Sequence, residues 1–201
     1  MSRIGKEEFL SRVFDALGPI GSMEEGVVKT SNARIEAEEI ELSKSIHLQT
    51  SNGPIFVKNS RSEKISANST NSRIEAEKCV CTKIHCHTTN ARVCIEKCDN
   101  AEVKLSSTNG SIHAQDCRLK ALYCGTTNGV IKVEEISADT IELSTTNGSV
   151  TGNIHGCEEE FSIDTNTTNG SNNLRTIERA NAHKRLCAHT TNGSIKIQFV
   201  S

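Results

Sequence analysis

The hexapeptide TTNGSI at residues 190–195 recurs with small changes along most of the chain. Related versions are STNGSI at 107–112, TTNGVI at 126–131, TTNGSV at 145–150 and TSNGPI at 50–55. Alignment of every Thr/Ser-Thr/Ser-Asn triplet gives nine asparagines: Asn32, Asn52, Asn71, Asn90, Asn109, Asn128, Asn147, Asn169 and Asn192. Five of the eight intervals between them are 19 residues, and the others are 20, 22 and 23. A nearly constant period indicates a repeat architecture.

Apolar and polar residues alternate on both sides of each asparagine. Around Asn109, for example, Val103 and Leu105 precede the turn, and Ile112 and Ala114 follow it. This period of two is typical of β-strands. A single unit of this kind cannot bury its apolar face, but stacked units can. The sequence therefore predicts an all-β fold, a single β-solenoid similar to a parallel β-helix, with about 8–9 coils.

Residues 1–25 lie outside the repeat. Phe9, Leu10, Val13, Phe14 and Leu17 fall on one helical stripe, and Gly18-Pro19 follows as a stop signal. We expect a short N-terminal amphipathic α-helix and connector over residues 1–25 that cap the solenoid domain of residues 26–201. A handle for a membrane or a partner is the alternative role for this helix.

The repeated asparagine is expected to be structural. Asparagine and glycine tolerate left-handed backbone, which suits a sharp corner between two strands. Stacked in register, the asparagine amides can hydrogen-bond from coil to coil. The first Thr or Ser of each triplet should point inward and the second outward. An outward hydroxyl row for ice binding is the alternative, but the neighbouring outward column is irregular, with Ser106, Gly125 and Ser144.

The stretch CVCTKIHCH at residues 79–87 has the composition of a zinc site. Strand alternation places its cysteines inward and its two histidines outward, so these side chains cannot converge on one ion. No metal site is predicted. Cys79, Cys98 and Cys117 each stand eight residues after an asparagine, which predicts one buried column of reduced thiols.

Composition restricts the function. The net charge of −2 gives no reason to expect nucleic acid, and no apolar run is long enough for stable membrane insertion. The first 20 residues contain no secretory apolar segment, so a cytoplasmic location is expected. No known catalytic motif occurs, and a small-molecule ligand or cofactor is not expected. A stripe of acids, Glu38, Glu77, Glu96 and Glu134, is predicted to be a solvated edge.

Two irregular places are the candidates for specific contacts. The basic insert RTIERANAHKR at residues 175–185 contains Arg175, Arg179, Lys184 and Arg185, which we predict to contact a partner. The final stretch SIKIQFV at 194–200 has no cap after it. An open edge there would allow end-to-end self-association.

The recurring TTNGSI and TSNGxI phrases with their flanking strands resemble an adhesin-labelled β-strand-repeat family of unknown function, over residues 27–199. The resemblance implies a β-solenoid and a non-catalytic role, and bacterial members are often exported or membrane-attached. We expect a non-enzymatic scaffold or interaction protein that self-associates through its C-terminal coil. The alternatives are a cell-surface or envelope adhesin and a polysaccharide-acting β-helix enzyme, for which a groove with a carboxylate pair would be the mark.

Overall fold

The computed structural model describes residues 24–201. The capping helix predicted within residues 1–25 falls mainly on residues 1–23, outside this range, and the first strand begins at Glu25. The strands are β1 (Glu25–Lys29), β2 (Ile35–Glu38), β3 (Ser45–Thr50), β4 (Ile55–Lys58), β5 (Arg61–Ser69), β6 (Ile74–Glu77), β7 (Val80–Thr88), β8 (Val93–Glu96), β9 (Glu102–Ser107), β10 (Ile112–Thr126), β11 (Ile131–Thr145), β12 (Val150–His155), β13 (Phe161–Thr167), β14 (Lys184–Thr190) and β15 (Ile195–Val200). A short 3₁₀ turn spans Glu158–Glu160.

The strands stack in parallel as the coils of a solenoid. Strands that precede the asparagine corners form the pre-corner ladder, in the order β1, β3, β5, β7, β9, β10, β11, β14, β13. Strands that follow the corners form the post-corner ladder, in the order β2, β4, β6, β8, β10, β11, β12, β15. The chain is therefore an all-β parallel solenoid of about nine turns, as the repeat predicts.

The core is a thin slab between the two ladders. Ile112 of the post-corner side and Leu122 of the pre-corner side are both fully buried, and equivalent residues in other coils repeat this arrangement. The interior consists mainly of Ile, Val, Leu, Ala and Cys, which fits a chain with one Tyr and no Trp. Near the C-terminal end Phe161 fills the corner opposite the asparagines and packs on Phe199, with ring centroids 5.2 Å apart.

The structure places the nine asparagines in one exposed column. Eight of the nine side-chain amides donate to Oδ1 of a neighbouring asparagine, in hydrogen bonds of 2.7–2.8 Å. The inward hydroxyls of the triplets add a second set of links. Thr145 Oγ1, for example, donates to the carbonyl of Gly129 in the preceding coil at 2.9 Å. Side chains thus join the coils at the corner in addition to the strand backbones.

Left-handed backbone occurs at a different corner from the predicted one. None of the nine corner asparagines has a positive φ. Seven other non-glycine residues of the described chain do: one is Asn100, and the other six each stand seven positions after an asparagine, namely Glu39, Asn59, Lys78, Lys97, Asp116 and Glu135. The corner glycine is explained instead by close approach, because a Cβ at Gly110 would lie 1.7 Å from the carbonyl oxygen of Ala91. The predicted use of left-handed backbone at the Asn-Gly corner is therefore wrong.

The order of the last two coils in space is reversed relative to the sequence. Strand β14 pairs with β11 on one side and with β13 on the other, so the last coil lies between the two that precede it. After β12 the chain skips one coil position, or level, by way of the turn at Glu158–Glu160 and forms the outermost level with β13. It then returns, and β14 and β15 fill the level that was skipped. The expectation that the C-terminal coil ends the rod with an open strand edge is therefore wrong.

Candidate interaction surface

The basic insert lies across the outer edge of the last level. Ile177 and Ile163 exchange both backbone hydrogen bonds, at 2.8 and 2.9 Å, in an antiparallel bridge. Thr176 Oγ1 donates to the carbonyl of Thr165 at 3.0 Å. The insert thus covers the edge of β13, an arrangement that limits unwanted strand pairing.

Three of the four predicted contact residues bind within the chain. The Arg179 guanidinium donates to the carbonyls of Phe161 and Glu158, at 2.6 and 3.2 Å. Lys184 Nζ lies 2.6 Å from Glu160 Oε2, and Arg185 Nε donates to Cys187 Sγ at 3.2 Å. Arg175 is exposed. Of the four cations, Arg179 and Lys184 line the same cavity.

The segment at residues 79–87 follows the predicted alternation. Cys79, Cys81 and Cys86 are buried, whereas His85 and His87 lie on the outer face. All nine cysteines of the chain are free thiols. Burial raises the pKa of Cys81 to about 12 and that of Cys86 further. Within residues 24–201 no three side chains of the His, Cys, Asp and Glu types are grouped so that they could hold a metal ion.

Two concave regions lie near the C-terminal end of the rod. The larger, an open groove of about 500 Å³, is lined in part by Asn153, Lys196 and Gln198 and has one carboxylate in its lining, Glu134. Lys132 and His113 hydrogen-bond to Glu134 and hold its pKa below the usual range. This groove has no carboxylate pair of the kind that glycoside hydrolysis uses.

The smaller cavity, of about 350 Å³, lies beneath the insert. Its lining includes Glu159, Glu160, Arg179 and Lys184. The hydrogen bond from Lys184 lowers the pKa of Glu160. A general acid in glycoside hydrolysis needs a raised pKa instead, so Glu160 does not match that role.

Several basic side chains on the post-corner side lie against an acid or an aromatic ring. The guanidinium groups of Arg34 and Arg73 lie over the ring of Phe56, 4.4 and 5.2 Å from its centroid. Glu75 pairs with both Arg73 and Arg92, at 3.3 and 3.2 Å. This part of the surface therefore offers little uncompensated charge to a partner.

The pre-corner ladder carries a cluster of basic side chains over its early coils. We define the lysine–histidine face by its outward residues, which are His47, Lys64, Lys83, His85, His87 and Lys104. The strand registers place Lys64 beside Lys83, and His85 beside Lys104. All three lysines are exposed. In the described part of the chain, the lysines that form ion pairs are others: Lys44, Lys78, Lys97, Lys132 and Lys184.

The electrostatics of His85 agree with a positive patch. Partial burial lowers its pKa, and the positive charges of Lys104 and Lys64 lower it further. His87 Nδ1 lies 2.9 Å from Ser106 Oγ, which fixes its ring against the next coil. Sequence reasoning missed this face, although Lys64 and Lys83 stand at equivalent positions one 19-residue period apart. Sorting the outward columns by charge would have found it.

Comparison with known proteins supports the repeat fold. Among residues 24–201, no helix has the length and apolar character needed to cross a membrane. Neither the curated proteins nor the solved structures gave a match to the chain. A family model described as Toastrack DUF4097 matches residues 21–200, and that description does not mention adhesion. Because the match includes every coil of the solenoid, the chain belongs to the Toastrack DUF4097 family, a repeat family of unknown function.

Proposed function

We propose that the chain is a non-enzymatic, cytoplasmic interaction scaffold that presents its lysine–histidine face to an acidic surface of a protein partner. The observation that carries the proposal is the contrast between the two ladders. Arg73 and Arg92 on the post-corner side share Glu75, whereas within residues 24–201 no ion pair holds Lys64, Lys83 or Lys104, although Glu102 stands beside Lys83 in the register. Uncompensated charge on a surface attracts and orients a partner of opposite charge.

Rigidity supports the role of a scaffold. Parallel strands hold equivalent side chains about 4.8 Å apart, so the lysines project from fixed backbone positions. The asparagine column adds a row of side-chain hydrogen bonds beside the same strands. A face that is already ordered loses little conformational entropy when it binds. The nine free thiols suit a reducing compartment.

The limited extent of the patch favours a protein over a nucleic acid. Glu102 stands beside Lys83 in the ladder, and the outward positions of later coils include Glu142 and Asp164. The positive region therefore ends within a few coils. Duplex nucleic acid carries one charge per about 1.7 Å of helix axis and is bound through longer basic tracts. A short acidic stretch of protein matches the patch better.

A charge-reversal experiment tests the proposal. The triple variant Lys64→Glu/Lys83→Glu/Lys104→Glu is compared with Lys58→Glu/Lys120→Glu/Lys196→Glu, which changes the net charge equally at lysines outside the face. Binding to immobilised poly-glutamate is measured at about 0.05 M and about 0.3 M salt. We expect the first variant to lose binding by about tenfold or more, and the control to lose much less.

Three outcomes would contradict the proposal. Equal losses in both variants would mean that net charge alone governs binding. If the wild-type chain does not bind poly-glutamate, the proposal of an acidic protein partner is excluded. Preferential binding of a sulfated polysaccharide or of RNA, measured in parallel, would assign the face to a different class of ligand.

A further inference from the structure

The last coil of the chain fills a level that the preceding coils leave open. Strand β14 forms six register pairs with β11, from Thr140–Arg185 to Thr145–Thr190, and seven with β13, from Phe161–Lys184 to Thr167–Thr190. On the post-corner side, β15 pairs with β12, and its other edge bonds to residues 171–173. The slot between these levels is thus lined by strand edges on both sides.

The contacts in the slot do not depend on how the last coil is connected. They are backbone ladders, the amide bonds of Asn192 to Asn147 and Asn169, and burial of Leu186, Ala188, Ile195 and Ile197. A last coil from another copy of the chain would make the same contacts. Such exchange of identical elements gives a closed dimer without any new interface.

A short hinge connects the last coil to the rest of the chain, and its length determines whether the coil can reach the slot of its own rod. The chain is held against its own rod as far as Arg179, through the Ile177 bridge and the Arg179 guanidinium. It is held again from Lys184, which pairs with Glu160 and starts β14. Residues 180–183 between these points are mostly exposed, and the reversal is closed by a 3.2 Å bond from the Ala182 N–H to the Arg179 carbonyl. These four residues must reverse the chain direction for the coil to return to its own slot.

We infer that residues 184–201 are an exchangeable coil through which two copies of the chain form a reciprocal dimer, with residues 180–183 as the hinge. The partner surface is the slot between β11/β12 and β13, not an open end of the rod. The inference is independent of the lysine–histidine face, which lies on earlier coils. It gives self-association a specific geometry in which the asparagine column of each rod includes Asn192 of the other copy.

Shortening the hinge tests the inference. Deletion of residues 180–182 makes the hinge too short for the chain to reverse direction. Insertion of Gly-Ser-Gly at the same place makes the hinge longer than reversal requires. We expect the deletion variant to be a dimer with the β-content of the wild type, and the insertion variant to be a monomer. Mass in solution is measured by light scattering after size exclusion.

A disulfide trap identifies the surface used. Ser144 and His189 face each other in the β11–β14 register, so Ser144→Cys/His189→Cys can be oxidised to link the coil to its slot. Denaturing, non-reducing mass analysis should show a covalent dimer in the deletion background and an internally linked monomer in the insertion background. Variants with either cysteine alone report cross-linking by the native thiols.

The remaining results either overturn the inference or support it. A monomeric deletion variant, or a dimer that the trap does not link, would overturn it. If the deletion variant aggregates, the trap is applied to the otherwise unchanged chain refolded from urea at high concentration. Covalent dimer that increases with refolding concentration supports exchange, and its absence overturns it. Poly-glutamate binding by the dimer should be unchanged per chain, which separates this result from that for the face.

Discussion

The side-chain amide of Asn192 donates a 2.8 Å hydrogen bond to Asn147, which stands 45 residues earlier in the chain. Asn169, which lies between them in sequence, donates to Asn192 from the opposite side at 2.7 Å. The asparagine column therefore follows the spatial order of the coils and not their order in the sequence. An amide can do this because it donates to one neighbour and accepts from the other.

Substitution of one asparagine in the middle of the column should weaken the rod. Asn109→Ala removes two hydrogen bonds, to Asn90 and from Asn128, each of 2.8 Å. Because the column is exposed, we expect a loss of about 1–2 kcal/mol in the free energy of unfolding, measured with urea. Thr108→Ala, at the outward position beside it, should change stability by less than about 0.5 kcal/mol. Equal effects would show that the amide bonds contribute little.

Two glycines should respond in opposite ways to alanine. Gly152 has φ of +145°, and a Cβ there would lie 1.6 Å from the carbonyl oxygen of Val133, so Gly152→Ala should destabilise by about 2–3 kcal/mol or more. At Gly125 nothing lies within 4 Å of an added Cβ. Gly125→Ala should be neutral or stabilise by up to about 1 kcal/mol. Thermal and urea unfolding measure the free energy of unfolding of the two variants. If the backbone at Gly152 is strained by a side chain, the two values should differ by a large amount.

A left-handed corner offers a stabilising substitution. Glu39 has φ of 56°, which is unfavourable for a residue with a Cβ, so Glu39→Gly should raise the free energy of unfolding by up to about 1 kcal/mol. Its neighbour Glu38 is the last residue of β2. Glu38→Gly should lower stability by about 0.5–1 kcal/mol. A loss at both positions would show that glycine entropy outweighs the backbone strain.

Acidification should destabilise the fold through His85. Its folded pKa lies below the ordinary value, mainly because of burial and then because of Lys104 and Lys64. The unfolded chain therefore binds a proton at higher pH than the folded chain, and stability falls as pH drops through about 6.5. His85→Gln should remove part of this loss, and Lys104→Gln should reduce it. Urea midpoints at about pH 7.5 and about pH 5.5 provide the measurement; identical pH dependence in all three chains would contradict it.

Thiol reactivity should divide the cysteines by face. Burial raises the pKa of Cys86 and Cys124, which are completely enclosed in the core, whereas Cys157 is exposed. Since the thiolate is the reactive form, iodoacetamide should modify Cys157 in the folded chain and leave the enclosed pair intact. Peptide mass analysis after brief labelling measures this. Rapid labelling of Cys86 without denaturant would mean that the core opens between coils.

The repeat determined most of the fold from sequence alone. Residues such as Val103, Leu105, Ile112 and Ala114 alternate strictly, so strand positions and inward faces followed from period and alternation. The left-handed corner did not, because Glu39, Lys78 and Lys97 are not residue types that favour positive φ. Of the six residues at this corner, only Asn59 and Asp116 are types that tolerate left-handed backbone, so the local signal was too weak to place it.

The reversed order of the last coils could not be derived from the sequence either. Asn169 and Asn192 carry the same triplet, and both coils match the repeat, so local pattern does not distinguish the two levels. The partners that the predicted contact residues have within the chain could not be derived for a related reason. Arg179 and Lys184 resembled free surface cations, but backbone carbonyls and Glu160 bind them. Those partners become neighbours only once the outer level is built.

The position of the last coil also bears on how the rod responds to force. In a solenoid whose terminal coil is outermost, the terminal strand is paired on one edge only, so its hydrogen bonds can break one after another from the chain end. Here a pull on Ser201 acts first on β15, which is paired with β12, and then on β14, which is bonded on both edges. The ladders on its two sides must then slide together, so that mechanical load is shared in shear. We therefore expect that pulling the last coil out of the rod requires more force than pulling away an outermost coil would.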